Sequence, residues 1–401
     1  MAVDSIEIPY GCYWSTPFAR WQGSFANLPS LEFAAHTTSQ ELAARDINPE
    51  VIDYGVLGMT RPERGSFYGL PYFAGLAGLD HIAGPTVSQA CATSVRAMLA
   101  AGQEVNSGMA SCALAVACDR TSNGPHIYYP NPQGAGGYGK SEDFIMDNMS
   151  CDPLGGHAMV QTAENVATKY NISTAAQHDV VLRREAQYAD ALDDEAMFQR
   201  RYMTLPFKVP HPRFHKSVAQ LDGDEGVTRS TAEGLAALKP VVEGGTVSYG
   251  GQTYPADGSA GMIVTTPEHA SELARDKSVR IRVLGFGLAR AALAFMPEAP
   301  IEAAQRSLAN ADVSSSAIDA VKTHNPFAVN DLVLAKSMGF DVHEMNNFGC
   351  SLVYGHPNGP TGLRGIIELI EELALRGGGT GLFTGCAAGD TAMAVVLRVD
   401  A

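Results

Sequence analysis

The sequence predicts an α/β protein made by duplication: two copies of one strand-and-helix unit whose sheets sandwich helices, with a loop domain inserted between them. Three observations predict it. Two stretches far apart share one plan of helix, turn and strand. Each copy then enters a second helix through a glycine-containing turn and leaves it in a second strand. Between the copies runs a segment of different texture, rich in proline, glycine and aromatic residues. Two such units bury their apolar faces by packing on each other.

The first copy opens with "PSLEFAAHTTSQELAARDINPEVIDYGVLG" and the second with "APIEAAQRSLANADVSSSAIDAVKTHN". In each, an amphipathic helix is followed by a short polar link and a β-like run. Asp46, Ile47, Ile52 and Asp53 stand at a constant offset from Asp312, Val313, Ile318 and Asp319. Further on, "TSVRAMLAAGQEVNSG" answers to "TGLRGIIELIEELALRGG", and "ALAVACDR" to "TGLFTGCAAGD". The first copy is assigned to 1–120 and 250–270, the insert to 121–249 and the second copy to 271–401. Within the insert, helices are expected from about Thr162 to Tyr170 and from about Thr174 to Ala191.

Composition excludes several classes of function. A net charge of -15 does not suit a general nucleic-acid binder, although basic residues gathered locally can still meet an anionic ligand. No run approaches 18 apolar residues, so no membrane span is expected. The start, "MAVDSIEIPYG", has neither a basic nor an apolar region and does not read as a signal peptide. The seven cysteines are odd in number and form no CxxC pair, which points to reduced thiols and a cytoplasmic protein.

Four stretches carry candidate chemistry. In "PTVSQACATSVRAMLAAGQEV", Cys91 stands where an extended run meets a helix. The free N–H groups and dipole of a first turn lower a thiol pKa, whereas a free cysteine is also often a buried hydrophobe. In "NNFGCSLVYGHPNGPTG", glycines and proline pin His356 at a loop tip, where it can act as acid or base. In "LFTGCAAGD", Cys386 ends an apolar run, and the small residues after it let backbone N–H groups approach an oxyanion. In "THNPFAVND", His324 and Asn325 follow a β-like run and can place a polar group against a carbonyl.

Two further patterns read as decoys. "VLGFGLAR" has Arg290 where a dinucleotide fingerprint needs its third glycine, so no nicotinamide site is expected. His211 and His215 have a metal-like spacing, but prolines argue against a shared helix face and no third ligand is nearby in sequence.

Taken together and in chain order, these motifs resemble the thiolase family over essentially the whole chain. Cys91-Ala92-Thr93 matches the nucleophile motif, and His324-Asn325-Pro326-Phe327 matches the family's Asn-Glu-Ala-Phe motif in its His-Asp-x-Phe form. Gly355 to Gly359 matches Gly-His-Pro-x-Gly, and Cys386-Ala387-Ala388 matches Cys-x-Gly with alanine in the last place. "MVQTAENVA" from Met159 and "DEGVTRSTAEGLAALKPVVEGGTVSYG" look like the stretches that frame the coenzyme A site.

The resemblance implies a thiolase-like duplicated α-β-α-β-α layered fold with an inserted loop domain, and a 3-oxoacyl-CoA thiolase with coenzyme A as co-substrate and no metal or organic cofactor. Cys91 would carry the acyl group, His356 would be its base, Cys386 the second acid/base and His324 an oxygen-side donor. The backbone N–H groups of Cys91 and Ala388 would form the oxyanion hole. Met159, Asn325, Phe327, Thr253, Arg201, Lys208 and Arg213 are assigned to substrate or coenzyme A contact. Cleavage in a degradative role is the expected direction. Tyr128, Tyr129, Asn131 and Tyr138 in the insert point to a bulky or aromatic acyl group. The alternatives kept beside this reading are a condensing acyltransferase, a thiolase-like synthase or aldolase, and a non-catalytic scaffold. A homodimer core is implied, and so is a small zinc-ribbon and OB-fold partner subunit in the His-type variant.

Overall fold

A computed structural model describes residues 6–401; the first five residues of the leader reading lie outside the described residues. The first copy runs through β1 (Tyr13–Ser15), α1 (Ser30–Ala44), β2 (Tyr54–Gly58), α2 (Leu70–Ala77), β3 (Thr86–Val87), α3 (Thr93–Ser107) and β4 (Cys112–Arg120). The insert holds a hairpin of β5 (His126–Tyr129) and β6 (Lys140–Asp143), then α4 (Met159–Tyr170) and α5 (Thr174–Asp190). A second hairpin follows, β7 (Phe207–Pro210) and β8 (Ser217–Leu221). The chain then returns to the first sheet as β9 (Ala256–Thr265). The second copy continues with β10 (Arg280–Arg290), α6 (Ala299–Ala311), β11 (Ala320–His324), α7 (Ala328–Met338), α8 (Thr361–Leu375), β12 (Gly378–Ala387) and β13 (Thr391–Asp400).

The two sheets have one plan. The first is ordered β1-β9-β4-β2-β3 and the second β10-β13-β12-β11. β4 is parallel to β2 and antiparallel to β9; β12 is parallel to β11 and antiparallel to β13. Asp46 and Asp312 explain the matching turns: both take left-handed φ, 55° and 54°, where α1 and α6 end. Asp53 and Asp319 then each accept a backbone N–H from the neighbouring strand, at Cys112 and Thr380.

The core lies between the sheets. Val95, Met98 and Ala101 of α3 share one apolar cluster with Ile366, Leu369 and Leu373 of α8 and with strand residues of both sheets. α1 and α2 cover the outer face of the first sheet, and α6 that of the second. Gly362 lets α8 approach α3, because a Cβ there would stand 2.7 Å from Val95. The "VLGFGLAR" glycines lie inside β10, where Gly285 allows α6 to pack; its Cβ would meet Ala311 N at 2.8 Å.

α8 is buried from Thr361 to Leu373 although it carries Arg364, Glu368, Glu371 and Glu372. Each is paired, as buried charges must be. Arg364 forks onto Asp224 at 2.6 and 2.7 Å and reaches Glu368 at 3.0 Å. Glu368 also meets Lys322, Tyr202 and Tyr354. Glu371 takes hydrogen bonds from Tyr10, Tyr13 and Arg201. Asn347 and Arg376 bind Glu372. This network ties the insert, through Arg201, Tyr202 and Asp224, to the central helix. Among the described residues, no helix is long and apolar enough to cross a membrane.

Candidate active site

The paired strand ends of the two copies bring the four motifs together. Cys91 follows a tight turn in which Ala90 takes φ 44°, outside the range ordinary residues favour. Thr93 Oγ1 closes that turn, donating to Ala90 O at 2.7 Å and accepting from Gln89 N at 2.8 Å. The thiol therefore leaves the strand line and sits at the head of α3. The backbone N–H groups of Ala388 and Cys91 both point hydrogen bonds at its sulfur. Ala388 is not among the residues with positive φ, so the alanine in place of glycine is accommodated without strain.

His324 ends β11 and His356 occupies the loop before α8, and their rings stack with centroids 4.0 Å apart and an interplanar angle of 27°. His356 Nδ1 is held by Thr361 Oγ1 at 2.6 Å, and His324 Nδ1 by Ser351 Oγ at 2.9 Å. Both Nε2 atoms are buried without a partner. One ring nitrogen of each histidine and the Cys91 sulfur lie within 4.8 Å of one another. Such donors are of the type zinc accepts, and among the described residues this is the one cluster of three.

The electrostatics differ from the expectation of a thiolate favoured by the helix end. Burial pushes the Cys91 thiol up to about 11, outweighing the N–H groups and the Arg61 charge that pull it down. Burial also lowers both imidazoles, His324 to about 3 and His356 well below the usual range. At neutral pH the resting site is thus a neutral thiol facing two neutral rings, not an ion pair. Cys386, 1% exposed, is pushed well above an ordinary thiol by burial and by the Cys91 charge, and Asn330 Nδ2 donates to its sulfur at 3.3 Å.

A cavity of about 280 Å³ opens onto this centre, and Cys91, His356, Ala388, Met159, Thr253 and Phe327 line it. Other assigned residues lie elsewhere. Asn325 is fully buried beneath the site. Its Nδ2 donates to Asp331 at 2.8 Å and its Oδ1 accepts from Ser351 and Leu352, so it braces the loop rather than touching a ligand. Arg201 is consumed by Glu371 at 2.6 Å and the Tyr10 hydroxyl at 2.7 Å. Lys208 and Arg213 are exposed on the β7–β8 hairpin and do not line the cavity. That hairpin packs Phe207 on Phe25 and Phe33, and His211 and His215 meet edge to face at its turn.

Tyr128, Tyr129 and Tyr138 are more than half or about half exposed on the β5–β6 hairpin, outside the cavity. The argument for an aromatic acyl group drawn from them does not hold. The apolar wall comes instead from Ile145, Met149, Val160, Val241 and Met296. Sequence reasoning also missed Arg61, Ser351, Thr361 and Asn330. Ser351 and Thr361 flank the Gly-His-Pro motif, so their spacing from His356 was the available signal.

Comparison with known proteins agrees over the full length. The thiolase N-terminal domain model matches residues 14–268 and the thiolase C-terminal domain model matches residues 278–399. The acetyl-CoA acetyltransferase of Escherichia coli (strain K12) is 26% identical over 96% of both chains. That of Paracoccus denitrificans is 27% identical over 96% of this chain and 97% of its own. The fold is shared with human mitochondrial 3-ketoacyl-CoA thiolase at TM-score 0.89 and 22% identity, covering 99% of both chains. It is shared too with the Bacillus anthracis acetyl-CoA acetyltransferase at TM-score 0.89 and 24% identity, covering 98% of both. With both family domains matched in order across the two copies, this chain belongs to the thiolase family of acyltransferases.

Proposed function

We propose that the protein cleaves a 3-oxoacyl-CoA with coenzyme A through an acyl-Cys91 intermediate. The observation that carries the reading is the convergence of an N–H-cradled thiol with two neutral imidazoles whose Nε2 atoms have no other partner. With Nδ1–H donating to Thr361, His356 Nε2 is a bare base beside Cys91. It takes the thiol proton as the sulfur attacks the 3-keto carbon. The resulting oxyanion lies against the N–H groups of Cys91 and Ala388.

Collapse of that adduct breaks the C2–C3 bond, leaving an acyl thioester on Cys91 and an acyl-CoA enolate. Cys386, a protonated thiol at neutral pH, gives its proton to C2 and becomes a thiolate. It then takes the proton of the incoming coenzyme A thiol, whose sulfur attacks the acyl group. The departing Cys91 sulfur recovers its proton from His356. Ser351 Oγ is nearer to His324 Nδ1, at 2.9 Å, than to Asn325 Oδ1, at 3.2 Å. When the enolate forms, the hydroxyl turns its one proton from Asn325 Oδ1 to His324 Nδ1, which keeps the imidazole N–H on Nε2, where it donates to the enolate oxygen. Two thiols and two imidazoles account for every proton, so the reading invokes no cofactor.

We take the apolar wall of Ile145, Met149, Val160 and Met296 as room for a longer 3-oxoacyl chain, and cleavage in a degradative role as the working direction. The acetyl-CoA acetyltransferase relatives supply the second reading, condensation of two acetyl-CoA molecules. A panel of 3-oxoacyl-CoA thioesters assayed in both directions separates them, and native mass reads whether a homodimer, alone or with a small zinc-ribbon and OB-fold subunit, is the working form. Cleavage of several longer chains is the expected result. Acetyl-CoA condensation without cleavage of any longer substrate contradicts the proposal.

A further inference from the structure

The cavity holds one charge that the proposed reaction does not use. Arg61, in the loop after β2, is 5% exposed and lines the cavity beside Cys91 and His356. Among the described residues it is the one Lys, Arg, Asp or Glu in the lining. Its charge is felt at the Cys91 sulfur and at the His356 ring, which places the guanidinium near the reacting bond.

A guanidinium offers five N–H donors in a rigid fork and stays charged at any working pH. The protein satisfies few of them. Nη1 donates to the Pro357 carbonyl at 3.3 Å and stands 3.8 Å from Asp119 Oδ1, beyond hydrogen-bond reach. Asp119 is engaged elsewhere, accepting from Thr60 N, Thr60 Oγ1 and Gly359 N at 2.9, 2.9 and 2.7 Å. Burial lifts its carboxyl to about 6, so at neutral pH it is mainly ionised and balances the Arg61 charge from 3.8 Å, and the buried Asp257 carboxyl feels the same charge. Next to Pro357, Asn358 is 8% exposed, takes φ 68° and lines the same cavity. Asp119 thus balances the guanidinium without filling its fork: among the described residues Nε and Nη2 have no hydrogen-bond partner, which leaves these donors for an anionic ligand in the cavity. The coenzyme A phosphates cannot be that anion, because the pantetheine arm separates them from the thioester that must lie at Cys91.

We propose that Arg61, with Asn358, binds a carboxylate on the acyl part of the substrate, making the preferred substrates 3-oxoacyl-CoA thioesters that bear a second, free carboxylate. The proposal rests on the thiolase reading above and deepens it. The test compares two probes of equal length, 3-oxoadipyl-CoA, which ends in a carboxylate, and 3-oxohexanoyl-CoA, which ends in a methyl group. The wild-type kcat/KM is expected to favour the carboxylate by about 10- to 150-fold, the range for one hydrogen bond to a charged group, and Arg61→Gln is expected to reduce that ratio to about 3-fold or less.

A wild-type enzyme that favours the methyl-ended probe, or treats the two alike, overturns the proposal. So does an Arg61→Gln variant in which both fall together, since Arg61 would then serve the thiolate alone. Cleavage of other 3-oxoacyl-CoA thioesters but of neither probe overturns this proposal only. Cleavage of no 3-oxoacyl-CoA at all overturns the thiolase reading itself.

A second readout needs neither turnover nor a folded variant. Wild-type protein is alkylated with anionic iodoacetate and with neutral iodoacetamide, and the rate ratio at Cys91 is compared with that at exposed Cys151. A ratio higher at Cys91 is expected from an anion site at Arg61. A ratio equal to or below that of Cys151 counts against it.

Discussion

Replacing Thr361 by valine tests how His356 is made a base. Thr361 is 1% exposed and its Oγ1 is the one hydrogen-bond partner of His356 Nδ1, at 2.6 Å. The ring is otherwise held by stacking on His324, and its Nε2 has no partner. In the resting state this is a bond between neutral groups. Once Nε2 takes the Cys91 proton, the same Nδ1–H belongs to an imidazolium and the bond becomes charge-assisted. Hydrogen bonds to charged groups contribute about 1.5–3 kcal/mol, so their loss corresponds to about 10- to 150-fold in kcat/KM. Valine keeps the shape and burial of threonine, so α8 retains its packing while the base loses its support. Steady-state thiolysis should show the fall chiefly in kcat, and Thr361→Ser should recover activity to within about 3-fold by restoring the hydroxyl. A valine variant as active as wild type refutes the reasoning. A serine variant as impaired as valine does too, because packing and not the hydrogen bond would then be at stake.

The lowered imidazoles protonate only below their usual range and the raised thiols ionise only above theirs, so kcat/KM should stay level from about pH 6 to 8. An acid limb centred between those values would mean a histidine of ordinary pKa at the centre. Cys386→Ser should still acylate Cys91 slowly but lose nearly all exchange of the α-proton with solvent, measured by deuterium incorporation; wild-type exchange would remove its acid/base role. Arg364→Met leaves Asp224 buried without its cation, a change worth about 3–5 kcal/mol. It should lower Tm by at least about 5 °C in a thermal melt, and an unchanged Tm would show the network to be incidental.

The frame and the candidate residues that meet at the site were legible because duplication repeats them. Cys91, His324, His356 and Cys386 all stand at strand ends or in loops beside them, so lining up the two copies brings them to one place before any coordinates exist. The direction of the Cys91 pKa was not legible. A helix end is visible in sequence, but the burial that outweighs it comes from segments hundreds of residues away. Arg201 was misread for a related reason: a basic residue looks the same in sequence whether it faces solvent or pairs with Glu371 of a helix 170 positions later. Asn325 was read as a ligand contact because its motif borders the site, yet its amide is used up by Asp331, Ser351 and Leu352. Arg61 went unnoticed because "GMTRPERG" matches no motif; only the parallel pairing of β2 with β4 brings its loop beside Asp119 and the cavity.

The most direct test of the central claim is to trap the acyl enzyme. Protein mixed with a 3-oxoacyl-CoA and no free coenzyme A is quenched in acid, digested and read by mass spectrometry. The account predicts the acyl mass, as a thioester, on the peptide carrying Cys91, its loss in Cys91→Ala, and its discharge when coenzyme A is added. Turnover with the acyl group on any other residue, or turnover that survives in Cys91→Ala, would contradict it.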